Sequence, residues 1–475
     1  MFLLTLVLAQ VNARVSMPSF FSDNMVLQQQ SDITLTGCAA KNTEVRITTS
    51  WNGKSISVDS DAEGRWTAHI ETPKAGGSYE ITISDGQELK LENILIGEVW
   101  FCSGQSNMEM PVKGFDGQAV DYSDEYIMKA KPSTPIRMFI ADSKDGQWIR
   151  QYSKTPQEDC KGEWLEHTPE NVGNTSATAY FFAHYLQEVL DVPVGIIVSS
   201  RGGSNIESWM SSKSLSKYED IDLSILDNEE KITNDTSTPS VLYNVKLAPF
   251  HNYKIKGFLW YQGESNRNNV GQYKSLMHSF VNDVRTLWKD KELPFYFVEI
   301  APFNYEGPNG TSGAKMREVQ QQCMLEIDHC SMVSTLDIGH PTIIHPNQKT
   351  TVGKRLALQA LSRTYGMKGL DYKTPVYKSM KVKDGKAYIY VQNLDRALYP
   401  ILTELEEFEI AGADKVFHTA KARIDDKNFK RIVVYSPEVA EPVAVRYAFK
   451  NYPKASVFST NLIPLGSFRT DSWEL

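Results

Sequence analysis

Residues 97–110 read Gly97-Glu-Val-Trp-Phe-Cys-Ser-Gly-Gln-Ser-Asn-Met-Glu-Met110, an apolar run that ends in a Gly-Gln-Ser-Asn turn. This order predicts a buried strand followed by a sharp turn into a helix, with Ser106 on the turn. A serine hydroxyl is a weak nucleophile, and it needs such a turn, backbone N–H donors and a nearby base. Gly104 permits the turn, so Ser106 is the best candidate nucleophile in the sequence, although Gly-x-Ser-x is also typical of ordinary polar turns.

Beyond this stretch the chain alternates helical and strand patterns. Residues 176–190 have apolar side chains at helical spacing and precede a buried strand over 193–199. The same unit recurs as a helix over 277–288 and a strand over 295–300. Repeated units of this kind predict an α/β fold, with a parallel sheet covered on both faces and active groups at the C-terminal ends of its strands.

Two β-rich regions flank this part of the chain. Short alternating runs from residue 14 to 92 predict an antiparallel β-sandwich module, which we interpret as structural support, with weak carbohydrate contact as the alternative. Alternation returns over 371–475 and predicts a C-terminal β-rich module. The predicted α/β catalytic domain therefore covers 93–370.

Composition and charge limit the class of protein. A chain of 475 residues with 41% hydrophobic and 23% charged residues is typical of a multidomain globular protein. Its net charge of −8 is spread along the chain, so we expect no nucleic-acid partner, and we find no further apolar stretch that predicts a membrane span. Residues 1–13 are similar to a signal peptide, which predicts a secreted or periplasmic protein; a buried N-terminal strand is the alternative.

The cysteines give no sign of a metal centre. The chain has five cysteines without Cys-x-x-Cys spacing, and it has no His-Glu-x-x-His motif. We therefore predict no metal and no cofactor. Cys323 and Cys330 lie seven residues apart in a predicted helix, where we expect two core side chains instead of a disulfide.

Three further polar stretches follow predicted strands. Residues 199–209 contain paired glycines, and the N–H of Gly203 could approach a substrate oxygen because no side chain blocks it. Residues 258–266 offer the amides of Gln262 and Asn266 and the carboxylate of Glu264. Residues 337–349 contain His345 just before a predicted helix. Each stretch is also consistent with an ordinary polar loop.

Together these stretches resemble the SGNH hydrolase superfamily and, within it, the sialate O-acetylesterase group of carbohydrate esterases. The resemblance rests on Gly-Gln-Ser-Asn-Met over 104–108, Trp-Tyr-Gln-Gly-Glu-Ser-Asn over 260–266, and the stretches 202–209 and 345–356. It implies a three-layer, flavodoxin-like core with Ser106 as the nucleophile and His345 as its base. It also implies an oxyanion hole made by the N–H of Ser106, the N–H of Gly203 and one side-chain amide from 260–266.

The sequence departs from the family pattern at the orienting acid. The family usually has an acid two or three residues before the base, where this chain has Ile343 and Thr342. Either a backbone carbonyl orients His345, or a carboxylate elsewhere does so, with Asp337 and Glu264 as the candidates.

The identity of the oxyanion amide is also open. Gln262 and Asn266 could each supply it, and we favour Gln262 because it lies closer to the predicted strand end.

The resemblance implies a serine esterase that hydrolyses O-acetyl esters on carbohydrates, with O-acetylated sialic acids as the leading substrate. An acetylxylan or other polysaccharide acetylesterase is the first alternative. A catalytically inactive carbohydrate-binding protein is the second, because the expected acid is missing. The sequence does not determine the oligomeric state.

Overall fold

The computed structural model describes residues 15–144, 147–148, 151–228 and 232–474. The predicted signal peptide over 1–13 lies outside the described residues. The N-terminal strands are β1 Val26–Gln28, β2 Asp32–Cys38, β3 Glu44–Thr49, β4 Ser55–Asp59, β5 Arg65–Glu71, β6 Gly76–Ser84 and β7 Glu88–Gly104. The next eight strands are β8 Ile136–Ala141, β9 Ser143–Lys144, β10 Gln147–Trp148, β11 Gly162–Glu166, β12 Val194–Ser200, β13 Gly257–Tyr261, β14 Phe295–Val298 and β15 Cys330–Val333.

The other described regular elements include eight α-helices and ten C-terminal strands. The α-helices are α1 Ser106–Glu109, α2 Ser123–Lys129, α3 Pro169–Asn174, α4 Ala177–Leu190, α5 Ser212–Leu215, α6 Val270–Leu287, α7 Ser312–Glu326 and α8 Lys349–Gln359. The remaining strands are β16 Val376–Lys383, β17 Lys386–Gln392, β18 Leu398–Tyr399, β19 Phe408–Ala411, β20 Phe417–Thr419, β21 Lys421–Asp425, β22 Asn428–Tyr435, β23 Ala444–Tyr447, β24 Phe458–Ser459 and β25 Phe468–Arg469.

A mostly parallel sheet forms the centre of the molecule, as the alternating pattern predicts. Its strand order is β11-β8-β12-β7-β13-β14-β15. The pairs from β8 to β15 are parallel, and β11 runs antiparallel to β8 at one edge. The C-terminal ends of β7, β12 and β13 therefore meet at one edge of the sheet, where active groups are expected.

Strand β7 also explains why both faces of this sheet are covered. Val99 and Phe101 point into a core shared with α6 and α7, whereas Trp100 and Cys102 point into a second core shared with α4 and α8. All four side chains are fully buried. Burying a large apolar side chain stabilises the fold by about 1.5–3 kcal/mol, so this strand is a main source of core stability.

The N-terminal β region is continuous with the central sheet. Its strands β4-β3-β6-β7 are antiparallel, β2 pairs with β5, and β1 runs parallel to β7. The first part of β7 belongs to this region and the last part belongs to the central sheet. The predicted boundary between residues 92 and 93 thus lies inside one uninterrupted strand.

The C-terminal region contains two four-stranded antiparallel sheets, β16-β17-β22-β21 and β20-β19-β23-β25, around a separate apolar core. The alternating pattern predicts these strands because buried and partly exposed side chains alternate, for example along β17. Within the described part of the chain, no helix has the length and apolar character that crossing a membrane requires.

One local prediction is wrong. Cys323 lies in α7, but that helix ends at Glu326 and Cys330 begins β15, so the two cysteines do not share a helix. His329 adopts a left-handed conformation with φ of 53°, which turns the chain into the strand. Both cysteines are buried and all five thiols are free, in agreement with the expectation of core side chains.

Candidate active site

The turn that carries Ser106 is dictated by the close contact of two neighbouring strands. Gly104 has φ of 145°, and a Cβ at this position would lie 2.2 Å from the carbonyl oxygen of Tyr261 on β13. The N–H of Gln105 donates to the same oxygen at 2.9 Å. Only glycine fits here without separating β7 from β13. Helix α1 begins two residues later at Ser106, which is half-buried.

Two backbone donors next to this serine are free. A Cβ on Gly202 would lie 3.5 Å from the Cβ of Ser106, so the glycine turn after β12 borders the serine. The Gly202 N–H donates to the Glu109 carboxylate at 2.5 Å. Among the described residues, the N–H groups of Ser106 and Gly203 have no hydrogen-bond partner. The structure thus leaves available the two backbone donors that the sequence predicts for an oxyanion.

His345 lies in the loop before α8 and is held from one side by a short turn. Its Nδ1 is 2.7 Å from Oε1 of Gln118, and its ring centroid is 5.3 Å from that of Phe115. Within the described chain, Nε2 has no hydrogen-bond partner, and no hydrogen bond joins His345 to Ser106. Burial and, secondarily, the ammonium of Lys349 lower the pKa of His345 to about 4, so its imidazole is neutral at physiological pH.

A buried polar network joins the nucleophile turn to the loop that carries the candidate base. The Nδ2 of Asn107 donates to the carbonyl of Ile344 at 3.2 Å and to Glu264 at 2.6 Å. The ammonium of Lys349 donates to Oδ1 of Asn107 at 2.5 Å. Burial lowers the pKa of Lys349 to about 7, against the attraction of Glu264, and burial raises the pKa of Glu264. Two segments far apart in sequence are thereby fixed together.

The amide of Gln262 is fully used inside the protein. Its Nε2 donates to the carbonyl of Ser204 at 3.1 Å and to Oδ1 of Asn266 at 2.7 Å, while Oε1 accepts from Tyr273 at 3.0 Å. The Nδ2 of Asn266 donates to Glu207 at 2.9 Å, which leaves its second hydrogen free. The geometry therefore does not support the preference for Gln262 over Asn266, because saturation of an amide depends on residues that sequence spacing does not bring together.

Gln105 is a further amide that the sequence reasoning missed. Its Oε1 accepts from the N–H groups of Gly263 at 3.3 Å and Ser265 at 3.4 Å. Within the described residues its Nε2 has no hydrogen-bond partner, although only 3% of the residue is exposed. The feature of the sequence that indicates a role for Gln105 is its position directly before Ser106.

Neither candidate acid contacts His345. Asp337 accepts two hydrogen bonds from Arg355, at 2.8 and 2.7 Å. Glu264 accepts from Asn107 instead. The sequence-based assignment of either residue as the orienting acid thus lacks a supporting contact.

The nearby His340 has a local role in its own loop. Its Nδ1 accepts from the backbone N–H groups of Thr342 at 3.2 Å and Ile343 at 3.1 Å. Such contacts favour a turn-stabilising function. His340 thus bonds within its own loop, whereas His345 bonds to Gln118 in a distant part of the chain.

An open cavity of about 610 Å³ adjoins these groups. Glu109 lines it from α1, and Phe115 lines it from the turn that contacts His345. Its other described charged lining residues are Lys113, Asp116, Glu163 and Glu170. Among the described residues, no group of three or more His, Cys, Asp or Glu side chains is arranged to hold a metal ion.

Comparison with known proteins identifies the family. The profile of the family described as "Carbohydrate esterase, sialic acid-specific acetylesterase" matches residues 96–362. The sialate O-acetylesterase of Mus musculus is 24% identical over 494 residues, covering 92% of this chain and 89% of its own length. The Homo sapiens sialate O-acetylesterase is 26% identical over 428 residues, covering 81% of this chain and 79% of its own length.

A solved structure agrees with this result over nearly the whole molecule. The crystal structure of a carbohydrate acetylesterase from Xanthomonas citri has a TM-score of 0.86 and 33% sequence identity, and the match covers 97% of this chain and 100% of that chain. The resemblance drawn from the motifs around Ser106 and over 260–266 is thus confirmed. The chain is a carboxylic ester hydrolase and belongs to the sialic acid-specific acetylesterase family of carbohydrate esterases.

Proposed function

We propose that this esterase removes O-acetyl groups from carbohydrates through an acyl-enzyme on Ser106. The observation that carries the proposal is the arrangement at the end of β7. There Ser106 borders the glycine turn of Gly202 and Gly203, and Asn107 ties it to the loop of His345. A nucleophile, free backbone donors and a neutral imidazole are the groups that acyl transfer requires.

The proton transfers follow from these groups. The Ser106 hydroxyl gives its proton to Nε2 of His345 while Oγ bonds to the acetyl carbon. The N–H groups of Ser106 and Gly203 stabilise the oxyanion, and a third donor comes from Gln105 or Asn266. The imidazolium returns the proton to the leaving sugar oxygen. Water then attacks the acetyl-enzyme with His345 again as base, which releases acetate and restores the serine.

Two classes of acceptor sugar are candidates for this site. O-acetylated sialic acid is the leading substrate because the named mammalian relatives are sialate O-acetylesterases. The cavity beside the site favours the alternative, an acetylated neutral polysaccharide such as acetylxylan. Its described lining has four carboxylates and one ammonium, a balance that repels the carboxylate of a sialic acid and can accept hydrogen bonds from neutral sugar hydroxyls.

The same proposal extends to the architecture and the location of the protein. We propose that the central sheet and its helices form an SGNH-type, three-layer flavodoxin-like domain over 93–370. The modules over 14–92 and 371–475 would support it. Export to the outside of the cell or to the periplasm rests on the signal-like sequence of residues 1–13.

Labelling and turnover test the proposal together. A serine-directed organophosphonate should label Ser106, and Ser106→Ala should remove both the label and nearly all hydrolysis of p-nitrophenyl acetate. Ser216→Ala is a matched control, because this serine is exposed and its hydroxyl donates to the local carbonyl of Lys213. A label on another serine, or an active Ser106→Ala enzyme, would overturn the mechanism. Absence of turnover in the folded wild type would favour an inactive carbohydrate-binding protein.

A substrate panel then separates the two acceptors. Acetate release should be measured from O-acetylated sialosides and from acetylated xylan at the same acetyl concentration. A higher kcat/KM for the sialosides supports the leading substrate. A higher value for xylan supports the neutral polysaccharide.

A further inference from the structure

The base of a serine hydrolase needs a partner on its second ring nitrogen. That partner fixes the tautomer and directs the other nitrogen at the nucleophile. In this chain the positions that would usually supply an acid are Thr342 and Ile343, and Asp337 is bound by Arg355. The group that does contact Nδ1 of His345 is an uncharged amide.

A tight turn places Gln118 next to His345. Its N–H donates to the carbonyl of Phe115 at 2.9 Å. Gly114 has φ of 82°, and a Cβ there would lie 2.4 Å from the carbonyl oxygen of Gln118, so the turn closes only with glycine. The same turn places the Phe115 ring edge-on against the imidazole, at an interplanar angle of 67°. The amide and the aromatic ring therefore act on His345 together.

A second contact holds the two loops in register. The N–H of Asp121 donates to the carbonyl of Asn347 at 3.1 Å, and Nδ2 of Asn347 donates to Asp121 at 2.5 Å. These bonds lie three residues beyond Gln118 and two residues beyond His345. The hydrogen bond at 2.7 Å is thus part of a loop-to-loop interface and not an isolated surface contact.

We propose that Gln118 takes the place of the triad acid and positions His345 for the proposed esterase reaction. Its amide oxygen accepts the Nδ1 proton, which leaves the lone pair of Nε2 available to Ser106. Gln118 is a positioning residue, because it acts on the nucleophile only through the imidazole. During catalysis the Nδ1 proton stays on the ring, and the transferred proton resides on Nε2.

Charged groups lie near His345 and Gln118, and their effect on the imidazole differs from that of a neutral amide. Lys349 is the charged group that acts on His345, and it is linked through Asn107 to Glu264. The turn of Gln118 carries Lys113 and Asp116, which line the adjoining cavity. An amide adds a dipole but no charge, so it orients the ring without the stabilisation of the imidazolium that a carboxylate supplies.

Two substitutions at one position test this role. Gln118→Ala removes the acceptor, and we expect kcat to fall by about 10²-fold or more with little change in KM, as for loss of a triad orienting group. Gln118→Glu keeps an acceptor oxygen and adds a charge. An opposite charge this close raises a histidine pKa by about 1–3 units, so the acid limb of kcat/KM should move to higher pH by that amount. If Gln118 only stabilised its loop, Gln118→Ala would lower the melting temperature without lowering the kcat of the folded enzyme.

The controls separate this inference from the proposed function on which it rests. Gln272→Ala removes a partly exposed amide that bonds to Asp220 and Asn269, and it should leave kcat and the pH profile unchanged. Thermal unfolding of each variant checks the fold, and the near-isosteric Gln118→Glu keeps the test valid if Gln118→Ala is unstable. A wild-type kcat in folded Gln118→Ala, or an unmoved acid limb in folded Gln118→Glu, would refute the role of Gln118. Activity in Ser106→Ala or His345→Ala would instead refute the proposed mechanism.

Discussion

The acid range of activity gives a quantitative test of the proposed base. His345 is active as a base only when neutral, and its burial together with the ammonium of Lys349 lowers its pKa from 6.5 to about 4. At pH 5 such a group is about 90% neutral, whereas a histidine with an ordinary pKa is about 3% neutral. The structure therefore predicts about 30-fold more activity at pH 5, relative to the plateau, than an unperturbed histidine would allow.

The measurement is the pH dependence of kcat/KM for p-nitrophenyl acetate, with p-nitrophenol read at its isosbestic wavelength and ionic strength held constant. This parameter reports ionisations of the free enzyme, and the substrate does not titrate in this range. We expect a rise centred near pH 4 and then a plateau. Lys349→Met removes the ammonium but leaves the burial, so its acid limb should move upward by part of the difference from the ordinary pKa.

A wild-type acid limb centred between pH 6 and 7 would refute this reasoning. It would mean that the imidazole is better solvated, or closer to a negative charge, than its contacts with Gln118 and Phe115 indicate. An unchanged limb in folded Lys349→Met would remove the ammonium as a cause and leave burial alone.

Three other substitutions test the surrounding contacts. Gln105→Ala should lower kcat by about 10²-fold with little effect on KM if its free amide meets the oxyanion, and steady-state kinetics check this. Gln262→Ala should mainly lower the melting temperature, because it removes three buried hydrogen bonds worth about 1 kcal/mol each. A stable variant with a large loss of kcat would instead favour Gln262 as the oxyanion donor. Gly104→Ala should destabilise the fold by more than about 3 kcal/mol, because its Cβ would collide with the Tyr261 carbonyl, and denaturant unfolding measures this.

The elements set by local patterns could be predicted from the sequence. Strand β3, Glu44–Thr49, lies in the region of alternating runs over 14–92, and the helix and buried strand predicted over 176–199 are α4 and β12. Their apolar spacing alone distinguishes the two periods. The turn at Ser106 was also predictable, because a glycine directly after a buried run permits the positive-φ conformation that a sharp turn requires.

The contacts that complete the site could not be predicted in the same way. Gln118 and His345 are 227 residues apart, and nothing in the spacing of a glycine-rich loop indicates which histidine its amide meets. Gln262 has the residue type of an oxyanion donor, but its two N–H groups are used by the carbonyl of Ser204 and by Asn266. Residue type predicts what a side chain can donate, whereas only the tertiary contacts decide which donors are left for a substrate.

The side chains that hold His345 and link its loop to the turn of Ser106 are uncharged. Gln118 holds His345, and Asn107 links the nucleophile turn to the base loop, so both contacts are made by uncharged amides. An amide directs a hydrogen bond without adding charge, and the pKa of the base is lowered by burial and by the ammonium of Lys349. The imidazole then stays neutral at acidic pH, but the imidazolium that forms when Ser106 is deprotonated lacks a carboxylate partner. Activity that persists in acid and a modest kcat are therefore two expected consequences of the same neutral partner.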